Sequence, residues 1–183
     1  MMRAFFRSCI KNDIPVAVTQ GFSPHLKLSF GHPLGVGISS SCEYLDIYMS
    51  EKVQPENIKL RLQNGLPEGI KIENVIEVST ELPSLTVSLD RAKYIIKIFT
   101  EYCTDVDGRI KRLFDSVDTI DKIKKIKELV FKNKELRMDV PVGQNGNVKP
   151  YDVLMKLWPE LGPEELKLWH IHREELYNEG NNN

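Results

Sequence analysis

The chain has 183 residues, 41% hydrophobic and 28% charged, and its 25 lysines and arginines stand against 26 aspartates and glutamates for a formal net charge of −1. A chain of this size buries about 70% of the surface it exposes unfolded, so one full core or two small ones are expected and a disordered, collagen-like or fibrous protein is excluded. The charge balance excludes a strong field over the whole molecule toward nucleic acid or anionic lipid, so any anion-binding surface must be local.

The apolar runs fall far short of the roughly 20 residues that a membrane span needs, and the N-terminus lacks the basic-then-apolar pattern of a signal peptide. Cys9, Cys42 and Cys103 are odd in number, widely spaced and without metal-ligand spacing. They predict buried thiols in a reducing compartment, and so a cytoplasmic protein.

In chain order, Met2, Phe5, Phe6 and Cys9 fall at helical spacing and predict an opening helix that Asp13 and Pro15 end. Arg3, Arg7 and Lys11 repeat every four residues on another face, where first-turn cations oppose the helix dipole. A complete domain seldom begins this way. From Val16 the pattern turns extended: Val16 and Val18, a shaped loop from Gln20 to His25, then Leu26, Leu28 and Phe30 in alternation, then Gly31, Pro33, Gly35 and Gly37. Residues 41 to 49 alternate cleanly and predict a strand with Glu43, Leu45, Ile47 and Met49 on one face and Cys42, Tyr44, Asp46 and Tyr48 on the other.

Pro55 at a first turn, Ile58 and Leu62 at helical spacing, and Asn64-Gly65 as a stop predict a helix of about three turns. Ile70, Ile72, Ile76 and Val78 predict the next strand. After a linker with Pro83 the order repeats. A strand is predicted over 93–99, and a helix capped by Asp105 or Asp107 carries Ile110, Leu113, Phe114 and Val117. Helix or coil runs past Ile120 to about Lys125. A hairpin around Lys132-Asn133-Lys134 leads into Leu136, Met138, Val140 and Val142. Pro150 opens a helix that Pro159 and Gly162 stop, and Leu166, Leu168, Trp169 and Ile171 predict a last strand. The polar tail over 178–183 is expected to be disordered.

The expected fold class is therefore α+β: two tandem ferredoxin-like βαββαβ units, over 1–80 and 92–177, the first missing its initial strand.

The run Pro15-Val-Ala-Val-Thr-Gln-Gly-Phe-Ser-Pro-His-Leu-Lys-Leu-Ser-Phe, with Pro33-Leu-Gly-Val-Gly and Glu43-Tyr-Leu-Asp-Ile after it, resembles an uncharacterised bacterial family of radical-SAM-linked proteins with a DUF2344 domain. Val142-Gly-Gln-Asn-Gly-Asn-Val-Lys-Pro resembles that family's second shared block, and His172-Arg-Glu-Glu-Leu its last. The resemblance spans nearly the whole chain. It implies about twenty further residues at the N-terminus, including a first strand. It also implies a radical SAM enzyme as partner, with this protein as a helper that recognises the enzyme's substrate.

The loop is the most specific feature. Gly21 permits positive φ, Ser23-Pro24 fixes the entry to His25, and Phe22 is placed to anchor the turn. Gln20, Ser23, His25 and Lys27 then form a rim suited to phosphate, carboxylate or an RNA backbone, with Arg7 converging on it. The bland alternative is a turn whose imidazole satisfies its own backbone. Tyr44 and Tyr48 on one strand face either stack bases, as RNA-recognition sheets do, or pack between the two units.

His25, His32, Cys42, Glu43 and Asp46 follow no metal motif. His170 and His172, two apart, are expected to be a partly buried pair at a strand end. No metal, cofactor or catalytic residue is assigned, because no nucleophile constellation or phosphate loop stands out. The reading is a non-catalytic module that binds RNA or a substrate for a radical SAM enzyme. Its alternative is a small-ligand enzyme using His25 and Glu43 on an anionic substrate.

Overall fold

A computed structural model describes residues 2–116 and 121–181. In chain order its elements are α1 (Met2–Lys11), β1 (Leu28–Phe30), β2 (Ile38–Ser40), β3 (Leu45–Ile47), α2 (Pro55–Gly65), α3 (Leu85–Ser88), β4 (Arg91–Lys97), α4 (Val106–Asp115), β5 (Glu128–Lys132), β6 (Glu135–Pro141), α5 (Pro150–Leu157), α6 (Pro163–Leu166) and β7 (His170–Tyr177). Among the described residues this is a mixed α+β architecture with two sheets. None of its helices is long and apolar enough to cross a membrane. Val117 and Ile120, expected to be apolar helix positions, lie outside the described residues.

Two units share the chain: Met1–Ser29 with Leu45–Ser84, and Phe30–Tyr44 with Leu85–Asn183. Residues 30–44 thus pack with the second half of the sequence rather than with the 1–80 segment.

In the first unit, α1 and α2 meet through Phe5, Cys9, Ile58 and Leu62, all buried. The approach is close: Ser8, fully buried, donates its Oγ hydrogen to the carbonyl of Leu62 at 2.7 Å, and a Cβ on Gly65 would fall 2.8 Å from Ser8 Cα. Arg61 donates from Nε and Nη2 to the carbonyl of Asn12, satisfying the chain as it leaves α1. β1 pairs with β3, and isolated bridges join Val16 to Met49 and Val18 to Leu26.

The strand expected over 41–49 is therefore only Leu45–Ile47. The strand expected at Ile70–Val78 does not form. Its chain is held instead by the Gln63 amide, which donates to the carbonyl of Ile70 (2.9 Å) and accepts from the Ile72 N–H (2.8 Å), and Ile76 and Val78 are exposed. A side-chain amide has replaced the neighbouring strand that a ladder needs.

The second unit carries the larger core. β4–α4–β5–β6–α5–β7 is a βαββαβ order, and its strands lie as β7-β4-β6-β5, each pair antiparallel, with β2 added in parallel beside β7. Ala92, Tyr94 and Ile96 of β4, Leu136, Met138 and Val140 of β6, and Ile171 of β7 line one sheet face. Val153, Leu154 and Leu157 of α5, Trp158 at its C-terminal cap, and Val106 and Leu113 of α4 belong to the same core. Asn133 and Lys134, at φ 55° and 62°, make the tight hairpin turn between β5 and β6.

Several local expectations are corrected. Asp105 does precede α4, but at φ 52° and with no side-chain cap bond; its carboxylate pairs with Arg112 at 2.8 Å. Leu166 lies on α6, so the last strand starts at His170. Of the cysteines only Cys9 is buried, Cys42 and Cys103 being intermediate. In the tail expected to be disordered, Glu179–Asn181 forms a single 3₁₀ turn. There Glu179 accepts from Lys127 (2.8 Å) and its N–H donates to Asp90. Residues 182 and 183 lie outside the described residues.

Candidate functional site

The loop of the first unit is closed on itself by polar contacts. The Thr19 N–H donates to the carbonyl of His25 at 2.9 Å, and the His25 N–H donates to Thr19 Oγ1 at 3.1 Å. The His25 ring lies inside this clasp, with Nδ1 3.1 Å from Thr19 Oγ1 and 3.2 Å from the carbonyl oxygen of Ser23. The carbonyl only accepts, so that contact is a hydrogen bond in the tautomer with its hydrogen on Nδ1; Nε2 has no partner among the described residues. Gly21, at φ +130°, sits where an L side chain is strained.

Phe22 was expected to anchor the turn; it is fully exposed, at 111% of its reference area. The Thr19–His25 clasp closes the loop while the phenyl ring stands in solvent. Gln20 and Ser23 are exposed beside it.

Lys27 leaves the loop on extended chain. Its N–H donates to the carbonyl of Ala17, its carbonyl accepts from the Tyr48 N–H, and its ammonium stands 4.1 Å from the centroid of the Tyr48 ring. A cation over an aromatic face is held without being neutralised, so its charge stays available to an anion. Arg7 lies on α1 with Arg3 and Lys11, but among the described residues it makes no hydrogen bond or ion pair with the loop.

Glu43 belongs to the second unit and has a different role. Arg173 of β7 is 2% exposed, and its Nη1 donates to both Glu43 oxygens, at 2.9 and 3.1 Å. The same guanidinium reaches the carbonyls of His32 (3.0 Å) and Pro33 (3.1 Å) and the Tyr94 hydroxyl (3.1 Å). Ser40 adds a bond to Glu43 at 2.6 Å. A buried charge requires this degree of pairing, and a carboxylate committed to it is a counter-ion rather than a free acid or base.

Next to it, burial pushes the Cys42 thiol up, and its Sγ lies 3.7 Å from the carbonyl of Arg173. Burial likewise pushes up Tyr44, which is 46% exposed and ends this segment. Sequence reasoning missed Arg173. The only signal was its place in the last of the three blocks, which meets the first block here through Glu43, His32 and Pro33. The middle block joins them: His32 Nε2 donates to the carbonyl of Leu89 (2.6 Å), and its ring packs where a Cβ on Gly143 would be, 2.6 Å from Cε1.

A second buried cluster was also missed. Arg91 Nε donates to Asp139 at 2.9 Å, and Tyr177 donates its hydroxyl to the other Asp139 oxygen at 2.6 Å. Burial, reinforced by that carboxylate, pushes the Tyr177 phenol up to about 12. His172 is gripped by β2 and the residue after it, with Nδ1 2.9 Å from Ser39 Oγ and Nε2 3.1 Å from Ser41 Oγ. His170 is exposed at the start of the strand, so the two histidines are not buried as a pair. Among the described residues, no group of three or more His, Cys, Asp or Glu side chains is placed to hold a metal ion.

The fold and these contacts define an α+β protein with an exposed aromatic and cationic loop on one unit and a salt-bridged sheet core in the other. The chain belongs to the family described as an uncharacterized protein conserved in bacteria (DUF2344), whose model matches residues 1–150. The match includes the loop and Glu43 and stops short of Arg173. No curated protein matches the chain.

Proposed function

We propose that this protein is a non-catalytic module that binds RNA through the loop from Gln20 to Lys27 and serves a radical SAM enzyme, as the resemblance of its sequence blocks implies. One observation carries the RNA reading: a fully exposed phenyl ring, Phe22, stands on a loop whose backbone is fixed by Thr19 and His25. Lys27 is stacked on Tyr48 at the base of that loop. An aromatic held out in water on an ordered loop is a stacking platform for an unpaired base, and a nearby cation suits the phosphate that follows.

The enzymatic alternative is the weaker one. Glu43 is committed to Arg173 and Ser40, and Cys42 is held as a thiol by burial. The order α1–β1–β3–α2 further supports reading the first unit as the inner part of a second ferredoxin-like unit.

Fluorescence anisotropy of a labelled oligoribonucleotide, with wild type, Phe22→Ala and Lys27→Ala at two salt concentrations, tests the binding. Loss of affinity in both variants, with a shallower salt slope for Lys27→Ala, is expected. Equal binding by all three proteins, or none by any, overturns the reading. Co-purification with a tagged radical SAM protein tests the partner.

A further inference from the structure

We infer that the open face of the second unit's sheet is a second contact for single-stranded RNA, an inference that rests on the RNA reading above. The strand register places Lys132 opposite Glu135, Glu135 opposite Lys97 and Lys97 opposite His170, one continuous row across β5, β6, β4 and β7. The next row on the same face is Val130, Arg137, Ile95 and His172. Alternation sends the intervening residues, among them Leu136, Ile96 and Ile171, into the core, so these two rows face away from the helices.

The rows are accessible: Val130 is 46% exposed, the Arg137 side chain 50%, and Lys97, Lys132 and His170 are exposed. Charge is uneven along the strands. At the far end of the same face Lys93 is answered by Glu175 at 2.5 Å. At the near end the acid Glu135 is taken by Arg137 at 3.2 Å. Lys97 and Lys132 make no ion pair among the described residues. Lys134, in the hairpin turn beyond them, donates to the Thr100 hydroxyl, a neutral partner that leaves its charge uncompensated.

Strands lie about 4.8 Å apart, so Lys132 and Lys97, two strands apart, present ammonium groups on the order of 10 Å from each other. Between and behind them, Val130 and Ile95 give an apolar floor. Phosphates on the lysines, with bases laid over the aliphatic floor, account for the pattern. A polyanion without bases would leave the apolar residues unused. With little aromatic surface and no tailored hydrogen-bonding slot, this surface tolerates sequence and depends on salt.

The test is anisotropy of a labelled oligouridylate with the full chain as wild type, Lys97→Gln/Lys132→Gln and Phe22→Ala/Lys27→Ala, at two salt concentrations, with thermal melting of each. The sheet variant is expected to melt as wild type does, to bind several-fold more weakly and to show a salt slope lower by about 1.4, some 0.7 for each phosphate that a lysine no longer neutralises. Wild-type affinity and slope in the sheet variant, while the loop variant is weakened, would overturn this inference and leave the loop reading standing. No binding by wild type would remove both. Displacement of the oligouridylate by poly-glutamate at equal charge concentration would overturn RNA as the occupant.

Discussion

Arg173 and Glu43, 130 residues apart in the chain, form an ion pair in which one nitrogen of a buried guanidinium reaches both oxygens of a part-exposed carboxylate. The carbonyls of His32 and Pro33 and the Tyr94 hydroxyl complete the shell around the guanidinium, whose carbon lies 5.5 Å from the Tyr94 ring centroid. The pair therefore fastens the segment 30–44 to the sheet of the second unit.

Replacing Arg173 by alanine strands the carboxylate and two carbonyls together. Loss of one partner costs about 3–5 kcal/mol where both charges are buried, and the part-exposed Glu43 carboxylate puts the expected loss here below that range. Glu43→Gln, which keeps an acceptor for the guanidinium and sits at the more solvated side, is expected to cost less. Urea unfolding of the two variants checks the order. An Arg173→Ala protein as stable as wild type would show that the pair contributes nothing to folding.

The same residues mark where sequence reasoning stops. α2 was legible because Pro55, the Ile58–Leu62 spacing and Gly65 are local signals, and β6 and α5 were legible for the same reason. Arg173 sits in an otherwise ordinary strand pattern, and its partners come from residues 32 to 43, far away in sequence. β2 was hidden similarly, since Gly35 and Gly37 read as loop and, among the described residues, its one ladder is the parallel one to β7. The alternation of Ile70, Ile72, Ile76 and Val78 promised a strand, but alternation fixes a face only when a neighbouring strand exists to pair with. In the loop, the residue types were legible and the outward turn of Phe22 was not, because it follows from how Thr19 and His25 close the backbone.

Gly143→Ala should destabilise the second unit. The residue is at φ +67° and a Cβ there would meet the His32 ring at 2.6 Å. Left-handed backbone in a non-glycine residue costs about 1–3 kcal/mol, and the clash adds to it. Adding His32→Ala removes the clash but not the backbone strain, and it also deletes the bond to Leu89, so the double variant should not regain wild-type stability. Thermal melting of both proteins decides it; a Gly143→Ala protein melting with wild type would refute the expected clash.

Tyr177 gives a pH signature. Its phenol is held at about 12 in the fold, first by burial and then by its bond to Asp139, against about 10 for an unfolded tyrosine. A group whose pKa is raised on folding contributes its full stability below the unfolded value and loses it as pH climbs through the folded one. Stability should thus fall between about pH 10 and 12. Tyr177→Phe should flatten that fall, and absorbance titration of tyrosinate should lose a late-titrating phenol. Tyr94 is also pushed up by burial, so part of the slope persists in the variant. Identical profiles for wild type and Tyr177→Phe would count against the assignment.

Phe22 separates binding from folding most cleanly. Its ring is fully exposed, so removing it takes no packing from the loop, and Phe22→Ala should melt at the wild-type temperature. If a base stacks on the ring, the same change should weaken RNA binding by about 1–3 kcal/mol, while Phe22→Tyr, which keeps the π-face, should retain most of the affinity. His25→Ala supplies the contrast. It removes the ring contacts to Thr19 and Ser23 while the two bonds of the His25 backbone remain, so it loosens the loop and should lower affinity by raising the entropy lost on binding rather than by deleting a touching group. Amide exchange at Gln20 to Ser23 should accelerate in His25→Ala and stay unchanged in Phe22→Ala. Undiminished RNA affinity in Phe22→Ala would mean that the exposed ring touches no base, and the loop would lose its place as the binding element.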